Sequence, residues 1–131
     1  MDAAPGQPAQ GSIVWADVAD PRGQVKRRPL IIVTASDELI LDAPLVCAAI
    51  TTTFPEPPPR AYVELPWYSR GHPATRLRRR SAVACHWLVP LKPSDIVETK
   101  GYVPTRVLIE ILERIRELNE ADSGHAGNKD E

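Results

Sequence analysis

Residues 96–118, IVETKGYVPTRVLIEILERIREL, contain the change of pattern that decides the fold. Up to residue 103 they predict a short sixth strand, and beyond Pro104 the apolar residues recur at intervals of three and four. Pro104 suits a first helical turn, where its missing N–H costs no hydrogen bond. The spacing predicts an amphipathic helix whose apolar side is formed by Val107, Leu108, Ile111, Leu112, Ile115 and Leu118.

Five short apolar segments precede this region, and each has the length of a β-strand. They are 12–18 (SIVWADV), 29–35 (PLIIVTA), 44–51 (PLVCAAIT), 61–65 (AYVEL) and 82–89 (AVACHWLV). The continuous β-branched run in 29–35 is typical of a buried strand. Many short strands followed by one helix predict a mainly β, α+β fold, a small barrel with the helix packed on it.

The segments between these strands are polar or rich in proline and arginine, and we interpret 19–28, 51–60 and 66–80 as loops. In the fifth strand, alternation predicts one face formed by Val83, Cys85, Trp87 and Val89, and the opposite face by Ala82, Ala84, His86 and Leu88.

The chain of 131 residues has room for one domain. We place that domain at 11–118, between flexible tails at 1–10 and 119–131 that lack large apolar side chains. The sequence has neither a membrane-length apolar run nor the pattern of a signal peptide, so we expect a soluble cytoplasmic protein without membrane contact.

Cys47 and Cys85 lie inside apolar runs, so we interpret them as reduced core thiols. Adjacent strand residues face opposite ways, so Cys85 and His86 cannot converge on one metal ion. We therefore expect no metal site and no cofactor.

The net charge of −1 conceals an uneven distribution. Residues 22–80 contain ten Lys or Arg and five Asp or Glu, a charge of +5, whereas residues from 110 onward contain seven acids and three bases, a charge of −4. A basic centre suits a surface that binds a polyanion, although a loop of solvated arginines gives the same composition.

Several segments carry a family resemblance in their order and spacing. They are 11–15 (GSIVW), 20–21 (DP), 26–33 (KRRPLIIV), 49–51 (AIT) and 63–67 (VELPW), followed by Thr75, Leu77, Ser81 and Val83 and by the strand and helix of 91–118. Together they resemble the MazF/PemK toxins over nearly the whole predicted domain.

The resemblance implies an SH3-like β-barrel, a homodimer, and metal-independent cleavage of single-stranded RNA such as mRNA. It also implies an antitoxin partner that masks the activity. Many family members have a Glu-Gln pair in the first loop where this chain has Gly23-Gln24, and PemK-like members have an Arg and an Asp at the positions of Ala84 and His86.

Two alternatives to a ribonuclease stay open. These departures favour a catalytically silent barrel that binds RNA or a protein through the same groove. A gyrase poison of the related CcdB type is disfavoured, because the polar C-terminal tail offers no apolar anchor.

Cleavage through the 2′-hydroxyl needs a base, charge stabilisation on the phosphorane and a proton for the leaving oxygen. Arg28 is the candidate for the phosphorane, because its planar guanidinium matches two phosphate oxygens and the resemblance implies a catalytic arginine there. Thr51 ends the third strand, and the resemblance implies that it assists the arginine. His86 has a side chain suited to carrying a proton near neutral pH, but a structural histidine fits the same pattern.

The remaining candidates are expected to bind RNA without performing chemistry. Basic side chains position phosphates, and an aromatic ring beside them stacks on unpaired bases. These residues are Lys26, Arg27, Trp67, Arg76, Arg78, Arg79 and Arg80.

Overall fold

The computed structural model describes residues 8–36 and 43–130, with side chains described as far as Glu120. One antiparallel sheet is formed by β1 (Ser12–Ala19), β2 (Val25–Ile32), β3 (Leu45–Thr51), β4 (Tyr62–Leu65), β5 (Ser81–Leu91) and β6 (Glu98–Tyr102), and α1 spans Thr105–Asp130. The strand order is β4-β5-β3-β2-β1-β6, and a 3₁₀ turn at Pro93–Asp95 joins β5 to β6. The sheet curls into a half-barrel, and the predicted mainly β fold with a C-terminal helix is confirmed.

Both faces of the curled sheet are buried, which explains the continuous apolar run in β2. Ile31 faces α1 in a cluster that we call the helix-side core, together with Ile13, Val83 and Ile111. Leu30 and Ile32 project from the opposite face into a second core, which contains Val14, Ala16, Val18, Leu45, Cys47 and Leu91. Strand alternation alone produces this division, because successive side chains point to opposite faces.

The boundary of β2 differs from the prediction. Val25 pairs with Ala19, so the strand begins there and the basic residues 26–28 belong to it instead of to a loop. The connecting turn is closed by Asp20, whose carboxylate accepts hydrogen bonds from the backbone N–H groups of Arg22 and Gln24, each at 2.9 Å. Three consecutive cations have low intrinsic strand preference, and pairing with β1 overrides it.

The predicted faces of β5 are also wrong. The Cα partners on β3 jump from Ala48↔Leu88 to Ala49↔Ala84, which leaves residues 85–87 of β5 without partners there. An odd number of unpaired residues reverses the face that the strand presents to its neighbour. Cys85 therefore lies in the helix-side core, whereas Trp87 packs against the second core.

The amphipathic helix is confirmed, with Val107 and Ile111 buried and Leu108, Ile115 and Leu118 packed beside them. Its backbone continues to Asp130, beyond the predicted domain boundary at 118 and into the predicted C-terminal tail. Residues 1–7 of the predicted N-terminal tail lie outside the described residues. No helix in the described part is long and apolar enough to cross a membrane.

Candidate nucleic-acid interface

A groove of about 580 Å³ opens where β2 separates from β3. The ladder between these strands includes only residues 30–32 of β2, so the first half of β2 diverges from its neighbour. One wall is formed by β6, β1 and β2, and the other by the end of β3 and the loop before β5. The lining residues are Trp15, Lys26, Arg27, Arg28, Pro29, Ile50, Thr51, Thr52, Thr53, Thr75, Arg76, Leu77, Arg78, Arg79, Glu98 and Lys100.

The wall formed by β6, β1 and β2, which we call the strand wall, results from the pairing register of these strands. Trp15 on β1 lies opposite Pro29 on one side and opposite Glu98 on the other, so these three side chains share one face. Arg27 lies two residues before Pro29 on β2, Lys100 lies two residues after Glu98 on β6, and both side chains line the groove. Alternation thus places a ring, a carboxylate and two cations along one wall.

The loop wall is held in place by buried polar contacts. Thr75 is 1% exposed, and its hydroxyl donates to the carbonyl of Pro66 at 2.8 Å and accepts from the N–H of Leu77 at 3.2 Å. The Nδ1 atom of His72 accepts from the N–H groups of Ala74 at 3.0 Å and Thr75 at 3.3 Å. His72 therefore supports the loop and is not among the groove residues.

Two backbone features bring this loop against β6. Gly101 has φ +93°, and a Cβ atom there would lie 2.5 Å from the carbonyl oxygen of Thr75, so only glycine permits the approach. Arg76 has φ +64°, a left-handed conformation that is uncommon for residues other than glycine. Its N–H donates to the carbonyl of His72 at 2.8 Å, which stabilises the turn that aims Arg76 at the groove.

The groove is strongly basic. Among the described residues, no carboxylate lies within 4.0 Å of Lys26, Arg76, Arg78, Arg79 or Lys100. Glu98 is the only acid among the lining residues that the structure describes. A concave surface with several uncompensated cations creates a positive potential that attracts a polyanion.

Arg27 and Arg28 are adjacent but occupy different environments. Arg27 pairs with Asp17 at 3.0 Å, both side chains being about half exposed, and this hydrogen bond raises the pKa of the guanidinium. The side chain of Arg28 is only 19% exposed: it lies 5.4 Å from the centre of the Trp87 ring, and its NH2 group is 3.6 Å from Asp20. Neither Asp20 nor Trp87 lines the groove, so the guanidinium of Arg28 is held at its margin.

Thr51 lies at the groove end of β3, as the sequence predicts. Leu30 pairs with Ala49, so Arg28 and Thr51 each lie two residues beyond that pair on diverging strands and face the same side. The Thr51 hydroxyl is 3.0 Å from both the N–H and the carbonyl of Thr53, and this turn orients the side chain.

Three predicted site residues lie outside the groove. His86 is exposed and stacks edge-on against Tyr62, with ring centres 5.2 Å apart. Arg80 pairs with Glu56 and Glu64, which raises its pKa above the ordinary value. Trp67, 40% exposed, lies in a separate shallow depression that residues 67–71 of the loop line by themselves.

Sequence reasoning missed Glu98, Lys100 and Trp15 as lining residues. The alternation of Glu98 and Lys100 on the sixth strand was a usable signal, since it places both on one face. What the sequence did not show is that β6 pairs with β1, the first strand, and so brings this face beside β2.

Both cysteines are buried in the core, as predicted. Burial raises the pKa of the Cys47 thiol to about 12 and that of Cys85 to about 11. Among the side chains that the structure describes, within residues 8–36 and 43–120, no group of three or more His, Cys, Asp or Glu is arranged to hold a metal ion.

Comparison with known proteins gives the family directly. The profile of the PemK-like, MazF-like toxins of type II toxin-antitoxin systems matches residues 9–118. The chain belongs to the MazF/PemK toxin family. No protein of curated function matches its sequence.

Solved structures of MazF/PemK toxins share the fold. MazF from Deinococcus radiodurans superposes with a TM-score of 0.67 at 19% identity, covering 89% of this chain and 99% of that one. A MazE-MazF structure from the same organism gives 0.66 at 20% identity, with coverages of 86% and 96%. A mycobacterial endoribonuclease in complex with its cognate antitoxin gives 0.65 at 17% identity, with coverages of 83% and 91%.

Proposed function

We propose that this MazF/PemK toxin is an endoribonuclease that cleaves single-stranded RNA without a metal ion, using the 2′-hydroxyl as nucleophile. It acts in the cytoplasm as a homodimer, and a cognate antitoxin inhibits it. The observation that carries the proposal is the groove with five cations that lack a carboxylate partner among the described residues. Such a groove neutralises several successive phosphates of a flexible strand.

Every predicted site residue except His86 and Arg80, which lie outside the groove, receives a role in this proposal. Lys26, Arg27, Arg76, Arg78 and Arg79 bind phosphates along the groove, and Lys100 joins them. Arg28 and Thr51 contact the scissile phosphate where β2 and β3 diverge, which requires the guanidinium of Arg28 to exchange Asp20 for a phosphate oxygen. Trp67 lies outside the groove and stacks on a base beyond it.

Cleavage is tested by incubating the purified toxin with RNA oligonucleotides of varied sequence in the presence of EDTA, which removes free metal ions. The expected products end in a 2′,3′-cyclic phosphate, and a single 2′-deoxy substitution at the cut site abolishes cleavage because it removes the nucleophile. Intact RNA after incubation with antitoxin-free protein would contradict the proposed reaction.

Binding is tested separately by titrating salt. Each phosphate neutralised contributes a slope of about −0.7 to log K against log[salt] for single strands. Replacing Arg78 and Arg79 with Ala is expected to flatten the slope and weaken binding to all sequences alike. Arg80→Ala is the matched control, since its guanidinium is already paired outside the groove; an equal effect of both changes would show that the groove is not the binding surface.

Dimerisation has its own readout. A small half-barrel gains a composite groove when two copies pair about a two-fold axis. Light scattering at micromolar concentration is expected to give about twice the chain mass of 14.5 kDa. A monomer at that concentration would remove the shared groove from the proposal.

A second candidate function is a catalytically silent toxin fold that binds RNA or protein. Two observations favour it: the guanidinium of Arg28 is already engaged by Asp20, and His86 is outside the groove. The cleavage assay discriminates the two functions, because a silent module shows the salt-dependent binding without products.

A further inference from the structure

Trp15 lies in the groove without belonging to a core. It is partly buried, but it is part of neither the helix-side core nor the second core and is not among the partly buried side chains packed against them. No described group accepts a hydrogen bond from its indole N–H, which is not buried, so this edge of the ring is open to solvent. The groove therefore contains an aromatic surface that a ligand can contact.

Glu98 lies directly beside this ring. The two residues are Cα partners on β1 and β6, so their side chains project from the same face of the sheet, with Cβ atoms about 4.5–5.5 Å apart. Glu98 is exposed, and it is the only acid among the lining residues that the structure describes. No described Lys, Arg or His nitrogen lies within 4.0 Å of its carboxylate, so both oxygens are free to accept hydrogen bonds from a ligand.

Two cations line the groove close to this pair. Arg27 contributes from β2, and Lys100 contributes from β6, two residues after Glu98. The pKa of Arg27 is raised first by its hydrogen bond to Asp17 and to a smaller extent by the charge of Glu98, so the two side chains lie near each other. A carboxylate repels phosphates and weakens a groove that only neutralises them. Its presence is explained if it contacts the part of a nucleotide that carries hydrogen-bond donors, which is the base.

The geometry of a carboxylate decides which base it recognises. Its two oxygens accept two parallel N–H groups, and on the Watson–Crick edge guanine alone offers two adjacent donors, N1–H and the 2-amino group. Adenine and cytosine place one amino group beside a ring nitrogen that is itself an acceptor, and uracil places one N–H between two carbonyl oxygens. Each of these three bases would direct at least one lone pair at the carboxylate. Unpaired bases in RNA are recognised by stacking on aromatic rings and by hydrogen bonds to this edge.

We infer that Trp15 and Glu98 form a guanine subsite of the RNA groove, an assignment that rests on the proposed function. The guanine ring stacks on the indole of Trp15, and its N1–H and 2-amino groups donate hydrogen bonds to the carboxylate of Glu98. Arg27 and Lys100 bind the neighbouring phosphates. The subsite selects a base and takes no part in the chemistry.

The guanine subsite is separate from the scissile phosphate. Successive strand residues point to opposite faces, so Arg28 projects from the other face of β2 than Arg27, and Thr51 shares the face of Arg28. All of these residues line one groove, which opens where β2 and β3 separate, so one RNA strand reaches both places. The recognised guanine therefore belongs to a nucleotide that flanks the cut.

The test measures binding of a short 2′-O-methyl oligouridine that carries one substituted base, by fluorescence anisotropy. The 2′-O-methyl groups prevent cleavage, and the uniform tract lets the substituted base reach the subsite by sliding. Guanine is expected to bind about tenfold more tightly than adenine, cytosine or uracil, because a good bidentate contact to a base discriminates by this order. Inosine, which lacks the 2-amino donor, is expected to bind with intermediate affinity. The analogue 7-deazaguanine keeps the Watson–Crick edge and is expected to bind like guanine.

Glu98→Gln changes the pattern of donors and acceptors while the side chain keeps its shape. An amide accepts one hydrogen bond and donates another, so the variant is expected to bind adenine and cytosine more tightly than guanine. Loss of the charge alone would raise the affinity for all four bases equally, so the ratio of affinities isolates base recognition. Glu113→Gln, at an exposed position of α1, is the matched control and keeps the wild-type preference.

Trp15→Leu tests the stacking surface. Stacking of one base on an aromatic ring contributes enough that this change is expected to weaken binding of the guanine oligonucleotide about fivefold or more, whereas Trp15→Phe stays closer to wild type. Because Glu98 is exposed, its variants decide the assignment even if Trp15→Leu does not fold.

Different results would overturn different conclusions. Equal affinity of the wild-type toxin for all four bases, or a guanine preference that Glu98→Gln retains, would remove the guanine subsite. Cleavage of RNA without any guanine preference would leave the proposed function intact and remove only the subsite. Guanine-selective binding without cleavage would support the subsite and favour the silent module. If the toxin binds no RNA, the proposed function fails and this assignment fails with it.

Discussion

Arg28→Ala tests two roles of this residue: the stability that the contacts of its guanidinium with Trp87, Asp20 and Val18 provide, and its part in the chemistry. The side chain of Arg28 is 19% exposed, stacks 5.4 Å from the Trp87 ring centre, and donates from Nε to the carbonyl of Val18 at 3.4 Å. Loss of the cation–π contact and of the packed alkyl chain costs about 1–2 kcal/mol. For a domain of this size we expect a Tm lower by roughly 4–10 °C.

This magnitude differs from the sequence-based expectation for an exposed loop arginine, whose removal changes stability by less than about 0.5 kcal/mol. Arg27→Ala is the matched control on the neighbouring residue. Its pair with Asp17 is half exposed, so solvent screens the interaction and Tm should stay close to wild type. Because Arg27 lines the groove, the same change should weaken RNA binding.

The change in Tm is measured by thermal unfolding monitored with circular dichroism. Cleavage is assayed at a temperature where every variant is folded. If Arg28 stabilises the phosphorane, Arg28→Ala should slow cleavage by about 100-fold or more. Arg28→Lys keeps the charge and loses the bidentate fork, so it should also be slow. A Tm equal to that of wild type would show that the contacts of Arg28 do not stabilise the fold. A folded Arg28→Ala variant that cuts at the wild-type rate would refute the catalytic role.

Three further predictions follow from contacts elsewhere in the structure. Gly101→Ala should lower Tm and weaken RNA binding, because the new Cβ atom would lie 2.5 Å from the Thr75 carbonyl oxygen and displace the loop. Gly23→Ala is the control, because Gly23 also has a positive φ (+88°) but has open space around it, so this change introduces backbone strain without a clash. Equal effects of the two changes would contradict the explanation. The pKa of Asp20 is held below its ordinary value of 3.8, mainly by the hydrogen bond from the N–H of Gln24 and then by that from Arg22 and the charge of Arg28. The ionised carboxylate therefore stabilises the folded protein above pH 3.8, and this contribution is lost as the pH falls through the lowered pKa. Thermal unfolding of Asp20→Asn should therefore show a lower Tm than wild type at neutral pH and a difference that shrinks below about pH 3.8; a difference that does not depend on pH would assign the effect to the turn alone. Burial keeps Cys47 and Cys85 as thiols, with pKa values of about 12 and 11, so iodoacetamide should modify them slowly in the native protein and rapidly in urea, as mass spectrometry would show. Rapid native modification would place at least one thiol near the surface.

The sequence predicted those parts of the fold that depend on local periodicity. Apolar residues at intervals of three and four identified α1, and the run in 29–35 identified a buried strand. The basic residues of the groove were also recognisable, because an excess of arginine at 22–80 is a property of composition. These inferences succeed because each uses neighbours in the chain.

Long-range pairing accounts for what the sequence did not show. The strand character of residues 26–28 comes from the partner β1, and the reversal of faces in β5 comes from unpaired residues 85–87. Neither follows from local pattern, because pairing with a neighbouring strand overrides the low strand preference of the cations, and the register shift in β5 depends on its partner β3.

The composition of the site was decided by tertiary structure alone. Glu98 is distant in sequence from the arginines at 76–79, and only the pairing of β6 with β1 and the close approach at Gly101 bring them to one groove. The same packing leaves His86 on another surface, although its side chain made it the natural proton carrier. Sequence by itself determined which chemical groups the protein has, and the curled sheet decided which of them meet, because a catalytic site is a set of distances that local periodicity does not contain.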